Sequence, residues 1–265
     1  MFQHPAKVLW NKKVSSGCYK IGLTCSAYYS AAKPGQFIML RLARQSDPLL
    51  RRPFSIHNVI ISNGQAEGLE LLYKVVGKGT AVMARQQPGD TVDILGPLGT
   101  GFIIPRQARG IHLVAGGIGV APLVFLASQL HRNNFDFSNC RVFIGGQTKE
   151  DLLCRDDFVQ LGLTVDTTTD DGSAGDQCLI THPLEDVVEQ IKPDIIVACG
   201  PMEMLACIIG ITEKYDVPCQ VSIETLMACG MGACLGCAVE GRGRPDRYLH
   251  ACLDGPVFDA AELKF

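Results

Sequence analysis

Hydrophobic and polar positions alternate in short runs over the first hundred residues. Stretches 19–24, 36–42, 69–76 and 91–95 each mix leucine, β-branched or aromatic positions with polar ones. A period near two predicts strands. Turn signals separate them, among them Lys33-Pro34-Gly35 and Gln87-Pro88-Gly89-Asp90. No long helical period intervenes, so this part reads as an antiparallel β-barrel. From Gly110 the pattern changes. An apolar run at 111–115 predicts a buried strand, 116–122 a glycine-rich turn and 123–130 a helix. Further strands follow at 141–146, 163–166 and 194–198. Strand–helix alternation predicts an α/β domain with a parallel sheet and ligands at the carboxyl ends of its strands. Beyond residue 222 the chain becomes rich in glycine and cysteine. The expected organisation is multidomain: a barrel over 1–105, an α/β domain over 106–222 and a small C-terminal module over 223–265.

Composition narrows the classes. A chain of 265 residues has room for two domains and a small module. A net charge of −3 offers no basic stripe to track phosphates, which argues against nucleic acid as a partner. No apolar run approaches the roughly 18 residues that span a bilayer, so no membrane partner is expected. Twelve cysteines would suggest disulfides in a secreted protein. The N-terminus lacks a basic segment followed by an apolar one, which points instead to a reducing cytoplasm. Cys18, Cys25, Cys140, Cys154, Cys178, Cys207 and Cys219 are expected to be small core residues. His57 and His112 are expected to be packed or surface side chains rather than catalysts.

The cysteines near the end are spaced for chemistry. Cys229, Cys234 and Cys237 form C-x4-C-x2-C, and Cys252 follows. Plant-type [2Fe–2S] ferredoxins use this arrangement. Two irons bridged by sulfides need four thiolates, and Gly230, Gly232 and Gly236 let a tight loop bring backbone N–H groups towards the sulfurs. Structural zinc is the competing reading, although zinc sites more often use two close cysteine pairs. Unligated core cysteines are a third.

Two other stretches carry chemistry. In Arg51-Arg52-Pro53-Phe54-Ser55 a guanidinium can fork onto a pyrophosphate while a hydroxyl faces a flavin edge, although a strand with a surface arginine gives the same letters. Leu72-Tyr73-Lys74 could line an isoalloxazine ring. It leads to Gly77-Lys78-Gly79-Thr80, whose glycines and helix start favour phosphate, or simply make a capped turn. The turn Gly117-x-Gly119-x-x-Pro122 departs from the G-x-G-x-x-G dinucleotide pattern, with proline opening the helix. Cys199 ends the strand before Gly200-Pro201 and could lie beside a nicotinamide or only pack. Asp170-Asp171 at another strand end would repel a 2′-phosphate, favouring NAD over NADP, unless it is only a solvated acidic turn.

In this order the segments resemble the ferredoxin–NADP reductase superfamily: Arg-Pro-Phe-Ser at 52–55, Tyr-Lys-Val-Val-Gly-Lys-Gly-Thr at 73–80, Gly-Gly-Ile-Gly-Val-Ala-Pro at 116–122, Thr-Asp-Asp-Gly-Ser at 169–173 and Cys-Gly-Pro at 199–201. The stretch from Glu224 to Cys237 looks like that of the electron-transfer subunits of NAD-dependent dihydroorotate dehydrogenases. The resemblance implies that Arg52, Pro53, Phe54, Ser55, Leu72, Tyr73, Lys74, Gly79 and Thr80 contact FAD. It also implies that Gly117, Gly119 and Cys199 belong to the nicotinamide side, and that Cys229, Cys234, Cys237 and Cys252 hold the cluster. It further implies an FMN-containing barrel partner that oxidises dihydroorotate in pyrimidine synthesis, in a two-plus-two assembly, with electrons passing through the cluster and FAD to NAD. A flavin and iron–sulfur subunit of a bifurcating ferredoxin–NADP oxidoreductase or of a sulfhydrogenase shares nearly all these motifs and is the alternative.

Overall fold

The computed structural model describes residues 2–42, 47, 49–243 and 246–265. Six strands close the barrel: β1 (Phe2–Ser15), β2 (Cys18–Thr24), β3 (Phe37–Leu42), β4 (Arg52–Ser62), β5 (Gln65–Lys74) and β6 (Thr91–Leu98). They run in the order β1-β2-β5-β4-β3-β6 with every neighbour antiparallel. Alternate side chains enter the core, as Leu69, Leu71 and Tyr73 do from β5, packed with Ile21 and Leu23 of β2 and Ile38 and Leu40 of β3. A short helix α1 (Lys78–Met83) follows β5.

The second layer is a six-stranded sheet in the order β14-β11-β10-β7-β8-β9. Strands β7 (Ile111–Gly116), β8 (Arg141–Gly146), β9 (Thr164–Thr169), β10 (Ile195–Cys199) and β11 (Cys219–Ser222) are parallel. Every residue of β7 and β10 is buried, because helices cover both faces of the sheet. Those helices are α2 (Val120–Arg132), α3 (Arg155–Gln160), α4 (Thr181–Gln190) and α5 (Met202–Tyr215). The C-terminal segment carries a small hairpin, β12 (Ala238–Glu240) with β13 (Tyr248–His250). It then returns as β14 (Val257–Asp259), which adds antiparallel to β11. The cysteine-rich segment is thus laced to the edge of the α/β sheet.

Helix α2 fixes the barrel to the sheet. Residues Val120 to Ala127 are all buried, and Phe125 packs in the barrel core while its neighbours Leu123, Val124 and Leu126 pack against the sheet. Polar links reinforce the junction. His57 Nδ1 lies 3.1 Å from the Ala121 carbonyl oxygen, Lys20 pairs with Asp157 at 2.7 Å, and Ser15 Oγ donates to the Glu150 carbonyl at 2.6 Å. His57 and His112 are both buried, and burial lowers each to a pKa of about 4, so both are neutral imidazoles. Among the described residues no helix is long and apolar enough to cross a membrane. One expectation needs correction: Cys207 is exposed on α5, and Cys25, Cys154 and Cys178 are only partly buried. Cys207 occupies an exposed position of α5, and Cys25, Cys154 and Cys178 lie in connecting segments outside the named helices and strands.

Candidate functional site

The barrel and the sheet leave a cleft of about 380 Å³ between them. Arg52, Pro53, Phe54, Ser55, Leu72, Tyr73, Lys74, Gly79 and Thr80 all line it. The two adjacent arginines divide their work. Arg51 makes a forked pair with Asp93, at 3.1 and 2.9 Å, and also donates to the Asp93 carbonyl oxygen. Among the described residues Arg52 has no carboxylate partner; its guanidinium rests on the Leu50 and Arg51 carbonyl oxygens. Strand alternation sends the two to opposite faces, and Arg52 is the one left for a phosphate. Tyr73 stacks on Tyr19 with centroids 5.6 Å apart and donates its hydroxyl to Asn11, so its backbone rather than its hydroxyl faces the cleft. Thr80 is used locally as well. Its Oγ1 accepts from the Val76 and Gly77 N–H groups and donates to the Gly77 carbonyl oxygen, closing the turn before α1.

A second cleft of about 650 Å³ opens at the carboxyl ends of β7, β8, β9 and β10. Here β7 leads outward to β8 and β10 to β11, in opposite directions, so the crevice lies at the switch point of the sheet. Gly117 and Gly119 line it with Gly145, Gly146, Asp170 and Met202. Gly119 is required by close approach, since a Cβ there would lie 2.3 Å from the Cys199 carbonyl oxygen. Gly117 has φ +51° and open space around it. Cys199 is placed on the wall of the first cleft, at 2% exposure, rather than in the second. Burial, with the Glu224 carboxylate beside it, pushes its thiol up to about 12. Both clefts share Lys74, Ile118 and Glu224, and Lys74 pairs across the junction with Asp151 at 3.1 Å.

From Glu224 the chain runs straight to the cysteines. Thr225 and Met227 line the first cleft, and Cys229 is two residues further on. Gly230 and Gly232 have φ of +70° and +81° and turn the loop over Met39 and Leu253. The sulfurs fall into two pairs. Cys237 and Cys252 lie 3.2 Å apart, too far for a disulfide, and are 3% and 2% exposed. Cys229 and Cys234 hydrogen-bond to each other. Burial alone would raise Cys229, but N–H groups of Met231, Cys234 and Ala233 and the Cys234 thiol bring it down to about 7. Burial and the Cys237 thiol push Cys252 up to about 11, against the Gly232 N–H that points at it from 3.2 Å. Donors aimed at sulfur favour thiolates, the form that binds metal.

The pairing discriminates between metals. Around one zinc, with Zn–S near 2.3 Å, all four sulfurs would be mutually about 3.8 Å apart. Among the described residues, only His57, Cys154 and Asp157 bring three donor atoms within 4.8 Å of one another. The four cysteines therefore do not close around a single ion, whereas two pairs suit two irons. At the other group the Lys20 ammonium already holds Asp157.

Two family models match. Residues 113–209 fit an oxidoreductase NAD-binding domain, and 224–264 fit the iron–sulfur cluster binding domain of dihydroorotate dehydrogenase B. The electron transfer subunit of dihydroorotate dehydrogenase B (NAD(+)) from Desulforamulus reducens is 39% identical, with 97% of each chain covered. The chain belongs to that family. The corresponding subunit from Geobacillus kaustophilus is 38% identical over 94% of each chain. Among solved structures, a chain of an NADH-dependent reduced ferredoxin–NADP oxidoreductase matches with a TM-score of 0.82 and 28% identity, over 98% of this chain and 89% of that one. A ferredoxin–NADP reductase from Neisseria gonorrhoeae shares the fold of 80% of the chain, covering 91% of its own, at TM-score 0.67 and 19% identity. Sequence reading did not assign Glu224, Thr225, Ile118 or Asp151 a role, and it placed Met227 with Met231 and Leu235 on an apolar docking face, whereas Met227 packs against the core and lines the cleft. Glu224 to Met227 and Ile118 lay inside motifs that carried the family resemblance; Asp151 reaches the cleft only through the fold.

Proposed function

We propose that this chain relays electrons between a catalytic subunit that oxidises dihydroorotate and NAD, through a [2Fe–2S] cluster and FAD. The continuity of the three sites carries this reading. One cleft meets the other at Lys74, Ile118 and Glu224, and the segment from Glu224 leads within five residues to the first cysteine. A flavin exchanges either one or two electrons, so it belongs between a one-electron cluster and NAD, which takes a hydride. The chain's residues bind and orient. Arg52 would hold the pyrophosphate of FAD, with Pro53, Phe54, Ser55, Leu72, Tyr73, Lys74, Gly79 and Thr80 around the rest. Gly117 and Gly119 would border NAD, with Cys199 a packed thiol between the rings. Cys229, Cys234, Cys237 and Cys252 would ligate the cluster. The relay follows the division into 1–105, 106–222 and 223–265.

Asp170 borders the second cleft and favours NAD over NADP, while Asp171 is held by Ser173. Around the cluster loop Leu226, Leu235 and Leu253 are 90%, 57% and 54% exposed, whereas Met227 is turned inward against the core. This apolar rim would dock an FMN-containing catalytic subunit, two of each making the assembly. The 39% identity to a dihydroorotate dehydrogenase subunit, against 28% to the ferredoxin–NADP oxidoreductase chain, favours this over the bifurcating alternative. The test is anaerobic isolation with whatever co-purifies. The complex should reduce orotate with NADH, and the single chain should reduce artificial acceptors only. Orotate reduction by the pure chain, or a hydrogenase as partner, would overturn the proposal.

A further inference from the structure

We infer that His57, Cys154 and Asp157 form a second metal site, which takes one divalent ion of the zinc class and clamps the barrel to the α/β domain. The site lies outside both clefts and the cysteine loop, and it does not depend on the relay proposed above.

Its donors come from two domains. His57 stands on β4 of the barrel, while Cys154 is at the N-cap of α3 and Asp157 follows in the first turn of that helix. Each brings one donor atom to within 4.8 Å of the other two. Donors about 2.0–2.3 Å from a common zinc lie roughly 3.3–3.8 Å apart, so a small side-chain adjustment closes the set. Thiolate, imidazole and carboxylate are the ligands that zinc takes. The imidazole is already oriented. Its Nδ1 donates to the Ala121 carbonyl oxygen at 3.1 Å, which leaves the lone pair on Nε2. A backbone acceptor behind the ring is the usual support of a metal-bound histidine.

Lys20 is the cation that the group now holds, with its ammonium 2.7 Å from Asp157 Oδ2. An ammonium has no use for an imidazole lone pair or a thiolate, whereas a metal ion binds both. Lys20 has a second carboxylate to turn to. Glu70 lies on the neighbouring strand β5, one diagonal step away on the same face, and already attracts the Lys20 charge. With the ion in place, its two positive charges and that of Lys20 face the negative charges of Cys154, Asp157 and Glu70, so the seam between the domains stays neutral. The Cys154 thiol is pushed up to about 12 by burial and stays protonated until the ion displaces its proton, so binding releases one proton to solvent. A polar pocket of about 310 Å³ lined by Ser15, Lys20, Lys149, Glu150 and Cys154 reaches the group. It offers the ion a way in and a water for the fourth position.

The experiment adds zinc chloride to the anaerobic chain loaded with flavin and cluster, followed by gel filtration. One zinc should stay with each chain while iron and sulfide are unchanged. Its X-ray absorption should show a single sulfur at about 2.3 Å and nitrogen or oxygen at about 2.0 Å. C154S should bind zinc roughly tenfold more weakly or worse, and without the sulfur. K20A, which removes the competing ammonium, should bind at least as tightly as the wild type and keep the sulfur. Zinc should raise the melting temperature of the wild type and K20A but not of C154S, because its ligands join two domains. Iron and flavin contents show that each variant is folded. A wild-type chain that retains no zinc overturns the inference, and so does C154S holding zinc as tightly as the wild type. Weaker binding by K20A, or zinc that enters only as iron is lost and shows four sulfurs, overturns it as well.

Discussion

Arg51 and Arg52 are neighbours in the chain with opposite fates. Arg51 closes the barrel through Asp93, and Arg52 lines the cleft with the Leu50 and Arg51 carbonyl oxygens beneath it. R52A should therefore lose flavin affinity by about 2–3 kcal/mol, on the order of 100-fold, for the loss of a forked charge-assisted contact. R51A should instead lower the melting temperature, by about 1–3 kcal/mol of stability, and keep its flavin. Flavin retention on dilution, set beside thermal melting, separates the two. Loss of flavin in R51A without loss of stability would reverse the assignment. The letters Arg-Arg-Pro-Phe-Ser pointed to this contact, and Arg52 was preferred through family resemblance. The reason lies in Asp93, forty-two residues away, which no local reading supplies.

Elements differ in how plainly the chain announces them. Strands β7 and β10 are buried on both faces and read as unbroken apolar runs. The first strand does not. Of its fourteen residues only Ala6 and Val8 are buried, so it carries almost no alternation. Its place comes from pairing with β2 and β6, through contacts distant in sequence. Strand β14 is just three residues long and is defined by its register on β11. The glycine-rich turn before α2 was legible as a turn, but not the separate reasons for its glycines. Gly119 lets the turn pass beside the Cys199 carbonyl, while Gly117 supplies a positive φ in open space. G119A should cost about 1–3 kcal/mol or more, because backbone atoms must shift. G117A should cost about 1–2 kcal/mol for its left-handed conformation. Denaturant unfolding of the two variants would show the order, and a milder G119A would contradict the close approach.

At the scale of the whole molecule, the two clefts and the cysteine segment are held together by packing rather than by linkers. Helix α2 belongs at once to the barrel core and to the sheet, and β14 ties the cysteine segment to the same sheet. The cysteine spacing made the cluster legible without any structure. Glu224, Thr225 and Met227 acquire meaning only when the fold brings β5, β10 and the cysteine loop around one cleft. A reduced nicotinamide at one end should then reach the cluster at the other only through the flavin. The most direct measurement is an anaerobic titration of the isolated chain with NADH, followed by visible absorbance and electron paramagnetic resonance. The account predicts equal iron and sulfide at twice the flavin content, with flavin bleaching first and the reduced-cluster signal following. A colourless chain loaded with zinc, or a cluster that NADH cannot reduce while the flavin is bound, would contradict it.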